Sequence, residues 1–151
     1  EVFINLTEIS CYGNQLTSLD VSNNTALTYL ACYVNQLTSL DVSNNTALTS
    51  LRCQSNQLTS LDVSNNTALT TLHCYSNELT SLDVRNGNNT NFIKFNIVNN
   101  PNLTCINVDD AIWSTANWVG SWFGTFVYDQ ILNGAYRGIL RVPLKLYNQK
   151  E

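Results

Sequence analysis

LTSLDVSNNTALTYLACYVNQ, residues 16–36, decides the fold, because the chain repeats it twice more with few changes. Residues 37–57 read LTSLDVSNNTALTSLRCQSNQ and residues 58–78 read LTSLDVSNNTALTTLHCYSNE. A half-unit, LTEISCYGNQ, stands before them at 6–15, and a diverging copy opens at 79 with LTSLDV. Self-similarity at a fixed period of 21 residues marks a solenoid, in which one unit cannot bury its apolar side alone and needs its neighbours. Each unit divides again into LTSLDVSNNTA and LTYLACYVNQ, and both halves fit L-x-x-L-x-(V/C)-x-x-N. Alternation along a short strand turns Leu30 and Cys32 inward, with Leu27 and Leu37 beside them. Neighbouring coils about 4.8 Å apart then bury that side together. A looser copy runs through Phe92, Phe95, Ile97 and Asn100, then Leu103, Ile106 and Val108.

This pattern resembles the leucine-rich repeat family, in particular the short nested bacterial type in which both halves carry the motif. The resemblance covers residues 6–108. It implies a mainly β fold, a leucine-rich-repeat solenoid with parallel strands on two edges and a short helical, aromatic C-terminal cap. It also implies that Asn14, Asn35, Asn56 and Asn77 form an internal ladder on the backbone of adjacent coils, with Asn24, Asn45 and Asn66 doing the same on the other edge. Cys11, Cys32, Cys53 and Cys74 recur with the repeat period and read as a buried column of small side chains, since free Cys packs as an apolar group. A metal site is the competing reading, but the chain has one His and the spacing is the fold's own. Cys105 breaks the register and is expected to point outward. In related bacterial proteins a Cys here pairs with one in the cap; no Cys follows Cys105, so that bond is absent.

Three regions are expected: a solenoid over residues 1–108, a cap over 109–128 and a tail over 129–151 that is either a capping strand or a segment pairing with another subunit. RNGNNTN after Val84 is two residues longer than its counterparts and predicts a bulge around Asn86 and Gly87. Asp109 or Asp110 is expected to cap a short helix. Trp113, Trp118, Trp122 and Phe123 then cover the open end of the core, with an aromatic ligand platform as the alternative. Pro143 within GILRVPLKLYN confines any strand there to an edge or interrupts it.

The formal net charge of −4 argues against nucleic acid, whose phosphates call for a basic field. Residues 1–128 carry nine acids and three bases, whereas 129–151 carry two acids and four bases. No apolar run reaches the roughly 20 residues of a membrane helix. Met is absent, so the chain reads as a processed product or a fragment, in keeping with an extracellular or cell-surface location. Catalysis has little support: His73 has no Cys or Ser placed beside it by register, Asp109 and Asp110 look like a cap, and no phosphate loop or cofactor motif occurs.

The variable positions point instead to binding. The columns Glu8, Tyr29, Ser50, Thr71; Ser10, Ala31, Arg52, His73; and Tyr12, Tyr33, Gln54, Tyr75 diverge while LTSLDVSNNTA recurs unchanged. Tyr12, Tyr29, Tyr33, Arg52, Gln54, His73 and Tyr75 are the candidate face for a protein or glycan ligand, since Tyr offers rigid area with a hydroxyl. Drift without a ligand is the plainer explanation. Asp20, Asp41, Asp62 and Asp83 form a like-charged column that nearby Ser and Thr hydroxyls are expected to compensate; Ca²⁺ motifs are missing. Asn5, Asn23, Asn44, Asn65, Asn88 and Asn102 head N-x-(S/T) sequons, glycosylated only in a host with the machinery. The alternative function is a structural subunit. Only EVFIN precedes the first motif Leu, so an uncovered first coil could receive the basic tail of another copy and propagate a filament.

Overall fold

The computed structural model describes residues 5–118, 127–128 and 138–141. Its strands are β1 (Glu8–Ser10), β2 (Tyr29–Ala31), β3 (Ser50–Arg52), β4 (Ser60–Asp62), β5 (Thr71–His73), β6 (Ser81–Asp83), β7 (Lys94–Asn96) and β8 (Cys105–Val108). A helix α1 (Ala111–Asn117) follows, then β9 (Val127–Tyr128) and β10 (Gly138–Arg141). β1, β2, β3, β5 and β7 pair in parallel in one sheet; β4, β6 and β8 pair in parallel in a second. The chain therefore alternates between two sheets, one strand of each per coil in the later coils. The fold is a mainly β solenoid with parallel strands in two sheets and a short helix toward its C-terminal end.

Each parallel strand is only three or four residues long because it needs to supply only one or two inward side chains. Leu30, Leu51, Leu72 and Phe95 from the first sheet meet Leu61, Leu82 and Ile106 from the second in a single core. The flanking Leu27, Leu48 and Leu69, the column Val42, Val63 and Val84, and Cys32, Cys53 and Cys74 complete it. Burial of each such Leu contributes about 1.5–3 kcal/mol, and it is available only when the neighbouring coil is in place. Desolvation pushes the thiols of Cys32 and Cys74 up to about 12, and Cys53 is likewise raised. All five cysteines are free thiols; Cys105 is half-buried, on the outward register of β8.

Two side-chain ladders stitch the coils. Asn56 Nδ2 donates to the Cys53 carbonyl of its own coil at 3.1 Å and to the Cys32 carbonyl of the preceding coil at 3.1 Å. Its Oδ1 accepts from Leu37 N at 3.0 Å, again in the preceding coil. Asn35, Asn77 and Asn100 repeat the arrangement. On the other edge Asn45 Nδ2 donates to Val21 and Asn24 carbonyls, and Asn66 Nδ2 to Val42 and Asn45 carbonyls, each at 2.9 Å. The expected ladders are present at Asn35, Asn56 and Asn77 and at Asn45 and Asn66; Asn14, expected in the first, donates instead to the Cys11 and Tyr12 carbonyls of its own turn. A third, which the sequence reading did not foresee, runs through threonine: Thr28, Thr49 and Thr70 hydroxyls donate to the carbonyls of Thr7, Thr28 and Thr49.

The residue before each first-sheet Asn turns the chain through the left-handed region. Gly13, Val34, Ser55, Ser76 and Asn99 occupy this place, with φ of 67°, 54°, 55°, 54° and 56°. A β-branched residue is costly there, and Val34 is the one that departs from the local rule.

Two further features settle the C-terminal side. The longer segment after Val84 makes a turn at Gly87 (φ 72°) and a 3₁₀ turn at Asn89–Asn91, so that Thr71 of β5 pairs with Lys94. Asp109 closes this loop by accepting from Gly87 N at 3.0 Å and Asn89 N at 3.2 Å. The adjacent Asp110 caps α1 by accepting from Trp113 N at 3.0 Å. Trp118 is buried, its ring 4.5 Å from that of Phe95 and 5.9 Å from that of Phe92. Trp122, Phe123 and Pro143 lie outside the described residues. β10 runs antiparallel to both β8 and β9, so this part of the tail lies within the second sheet, between those two strands.

Candidate functional site

The outward residues of the first sheet stand in register. Glu8, Tyr29, Ser50, Thr71 and Lys94 make one column, and Ser10, Ala31, Arg52, His73 and Asn96 the next. Backbone bonds continue the stacking past the strands, from Gly13 N to Tyr33 O, Val34 N to Gln54 O and Ser55 N to Tyr75 O. These bonds carry the third column, Tyr12, Tyr33, Gln54 and Tyr75. The seven candidate residues thus share one side of the solenoid.

Within it, Tyr12 and Tyr33 stack with centroids 4.5 Å apart and planes 5° from parallel. The guanidinium carbon of Arg52 lies 5.7 Å from the Tyr29 ring centroid, a cation–π distance. His73 and Tyr75 meet at 6.2 Å in a tilted arrangement. Ala31 is wholly buried outside the apolar core, and Gln54 is only 8% exposed. Gln54, expected as a contact residue, is nearly closed to solvent in the unbound chain. Alternation along a strand predicts which way a side chain points, but not whether its neighbours close over it.

This side carries two cations, Arg52 and Lys94, beside the single carboxylate of Glu8, in a chain of net negative charge. Arg52, His73 and Lys94 lie on three consecutive first-sheet strands. Partial burial, then the charges of Arg52 and Lys94, holds the His73 pKa below its ordinary value. Partial desolvation, then Tyr12 and Tyr29, raises that of the Tyr33 phenol. Among the described residues Arg52 has no carboxylate in ion-pair range, and its Nε is buried without a hydrogen-bond partner. Gln54 Oε1 is likewise buried and unpartnered. Lys94 was missed as a member of this group because the two extra residues before it shift its place in the repeat.

The second sheet presents the opposite chemistry. Asp41 and Asp62 line an open groove of about 410 Å³ with Ser39, Ser60 and Asn65. The expected compensation of the Asp column is present, and backbone amides share in it: Ser22, Ser43 and Ser64 N–H groups donate to Asp20, Asp41 and Asp62 at 2.8–2.9 Å. Side-chain and backbone hydrogen bonds from Ser22 and Ser43 lower the Asp20 and Asp41 pKa values. Asp83 is held by Arg85, which binds it through both side chain and backbone. No group of three or more His, Cys, Asp or Glu side chains suited to a metal ion occurs among the described residues.

Of the sequon residues, Asn5, Asn23, Asn44, Asn65 and Asn102 are exposed. Asn88 is half-buried, with Nδ2 donating to Leu69 O at 2.9 Å. No helix among the described residues is long and apolar enough to cross a membrane.

No family model matches the chain, and no curated protein matches it. Among solved structures it is similar to the functional domain of InlJ from Listeria monocytogenes, described as including a cysteine ladder. The identity is 29%, over 66% of this chain and 31% of that one, with a TM-score of 0.49. The chain therefore spans less than a third of the length of that domain.

Proposed function

We propose that this chain is a non-enzymatic binding module of an extracellular or cell-surface protein, and that it recognises another protein through the outer side of the first sheet. The observation that carries this reading is the packed aromatic and cationic surface of Tyr12, Tyr29, Tyr33, Arg52, His73 and Tyr75. Aromatic and Arg side chains held rigid by their neighbours lose little entropy on contact and dominate interface energetics. A glycan is the less suited ligand. Sugars lie on open ring faces, whereas Tyr12 and Tyr33 spend facing sides on each other and Tyr29 has a guanidinium over its ring. Ring edges, hydroxyls and a cation suit a protein surface. Glycosylation of Asn23, Asn44 and Asn65, in a host that performs it, would decorate the turns between the two sheets and leave this side clear.

The test is partner capture from the native surroundings, with a glycan array beside it. Tyr33→Ala and Tyr75→Ala are expected to lose the partner that the parent retains, with unchanged far-ultraviolet circular dichroism. A partner held equally by parent and both variants would place the site elsewhere.

A further inference from the structure

We infer that Arg52 is the anchor for a carboxylate on an acidic segment of the partner protein, an inference that rests on the binding-side reading above. Three observations converge on it. The guanidinium lies over Tyr29, in a place where the chain brings no counter-ion among the described residues. Arg85 shows the contrast, since it is engaged by Asp83 beside it. The sheet's own carboxylate, Glu8, sits two strands away in the neighbouring column. The Asp groove belongs to the second sheet, across the shared core.

The positive group is also extended. Lys94 lies two strands beyond Arg52, with the His73 imidazole on the strand between them, so an acidic segment laid across the coils meets a cation at each end of a three-rung span. The Arg52 Nε hydrogen is buried without an acceptor, and the Gln54 carbonyl oxygen, two residues on, is buried without a donor. Unpaired buried polar groups are costly, and such a pair of opposite character belongs to a surface whose hydrogen bonding is unfinished. A carboxylate accepts the two parallel N–H groups of a guanidinium fork, and stacking on an aromatic ring pre-organises that fork. A peptide carboxylate followed by a backbone N–H supplies both missing partners once Arg52 and Gln54 adjust to it.

The probe is a fluorescein-labelled peptide of alternating Glu and Ser, with a Gln and Ser peptide as control, titrated with the whole chain by fluorescence anisotropy. The parent is expected to bind the Glu peptide at least tenfold more tightly than the Gln peptide, with the difference shrinking at high salt. Arg52→Gln is expected to weaken the Glu peptide about tenfold, about 1.4 kcal/mol. Arg52→Lys, which keeps the charge and loses the fork, is expected to fall between them; circular dichroism checks that both variants fold. Equal binding of the two peptides by the parent, or equal binding of the Glu peptide by parent and Arg52→Gln, overturns the inference. If a captured partner is lost by Tyr33→Ala yet unaffected by Arg52→Gln, the binding side stands and the acidic anchor falls. A sulfated oligosaccharide displacing the Glu peptide at far lower concentration overturns the protein assignment. Self-association of the parent in sedimentation, abolished by Arg52→Gln and without peptide binding, overturns it in favour of a second copy.

Discussion

At the scale of single residues, the most informative position is one that breaks the repeat's own rule. Gly13 and Asn99 stand at the left-handed turn with side chains that tolerate it, and Val34 does not. Val34 is half exposed, so its isopropyl group gains little burial in return. Val34→Asn is therefore expected to stabilise the fold by about 1 kcal/mol, the order of the left-handed penalty, measured by urea unfolding. An unchanged or lower midpoint would show that Val34 is held by contacts worth more than the strain. The strain itself was not legible in the sequence. Nothing in the spacing of L-x-x-L-x-(V/C)-x-x-N marks the residue before Asn as left-handed, and Val normally argues for a strand.

At the scale of the elements, the Asn ladders divide the work of terminating each strand. Asn56 satisfies two carbonyls and one backbone N–H of buried chain, whereas Asn45 donates twice while its Oδ1 has no partner. Replacing either by Ala strands buried backbone groups at about 1–3 kcal/mol each. Asn56→Ala is accordingly expected to cost more than Asn45→Ala, by about 1 kcal/mol or more. Chemical denaturation of the two variants side by side measures the difference, and equal costs would assign the N–H of Leu37 another acceptor. These ladders were anticipated through the resemblance to leucine-rich repeats, which implies them for the motif Asn. The Thr28, Thr49 and Thr70 ladder was not, since a Thr at a surface position is compatible with any outward role. The candidate site was legible only in outline. Tyr12, Tyr33 and Arg52 lie where the column reading puts them, but the cover over Gln54 depends on rotamers of its neighbours, which a sequence does not list.

At the scale of the whole molecule, the solenoid is additive in units of 21 residues and in no smaller unit. Deleting residues 37–57 joins Gln36 to Leu58 and restores every inward position, both Asn ladders and the alternation of sheets. That variant is expected to fold with a native-like spectrum and a smaller urea m-value, in proportion to the surface it no longer buries. Deleting only 48–57 removes one half-unit, so every later strand is assigned to the opposite sheet. It is expected to lose the cooperative transition. Equal cooperativity in both deletions, measured by urea unfolding, would mean that the two halves are interchangeable. The two sheets are not equivalent in charge: Arg52, His73 and Lys94 stand on one, and Asp41 and Asp62 flank a groove on the other.

The direction of the Asn ladder has a bearing on how the chain is made. Asn35, Asn56, Asn77 and Asn100 each reach back to the coil synthesised before their own, and in doing so both donate and accept. Asn14, at the head of the series, bonds among the described residues only within its own turn. A coil leaving the ribosome thus waits for its successor: the Leu37 amide finds its acceptor only when Asn56 has emerged. Order then spreads along the nascent chain one rung behind synthesis, each newly made coil fastening the last, as a zip closes behind its slider.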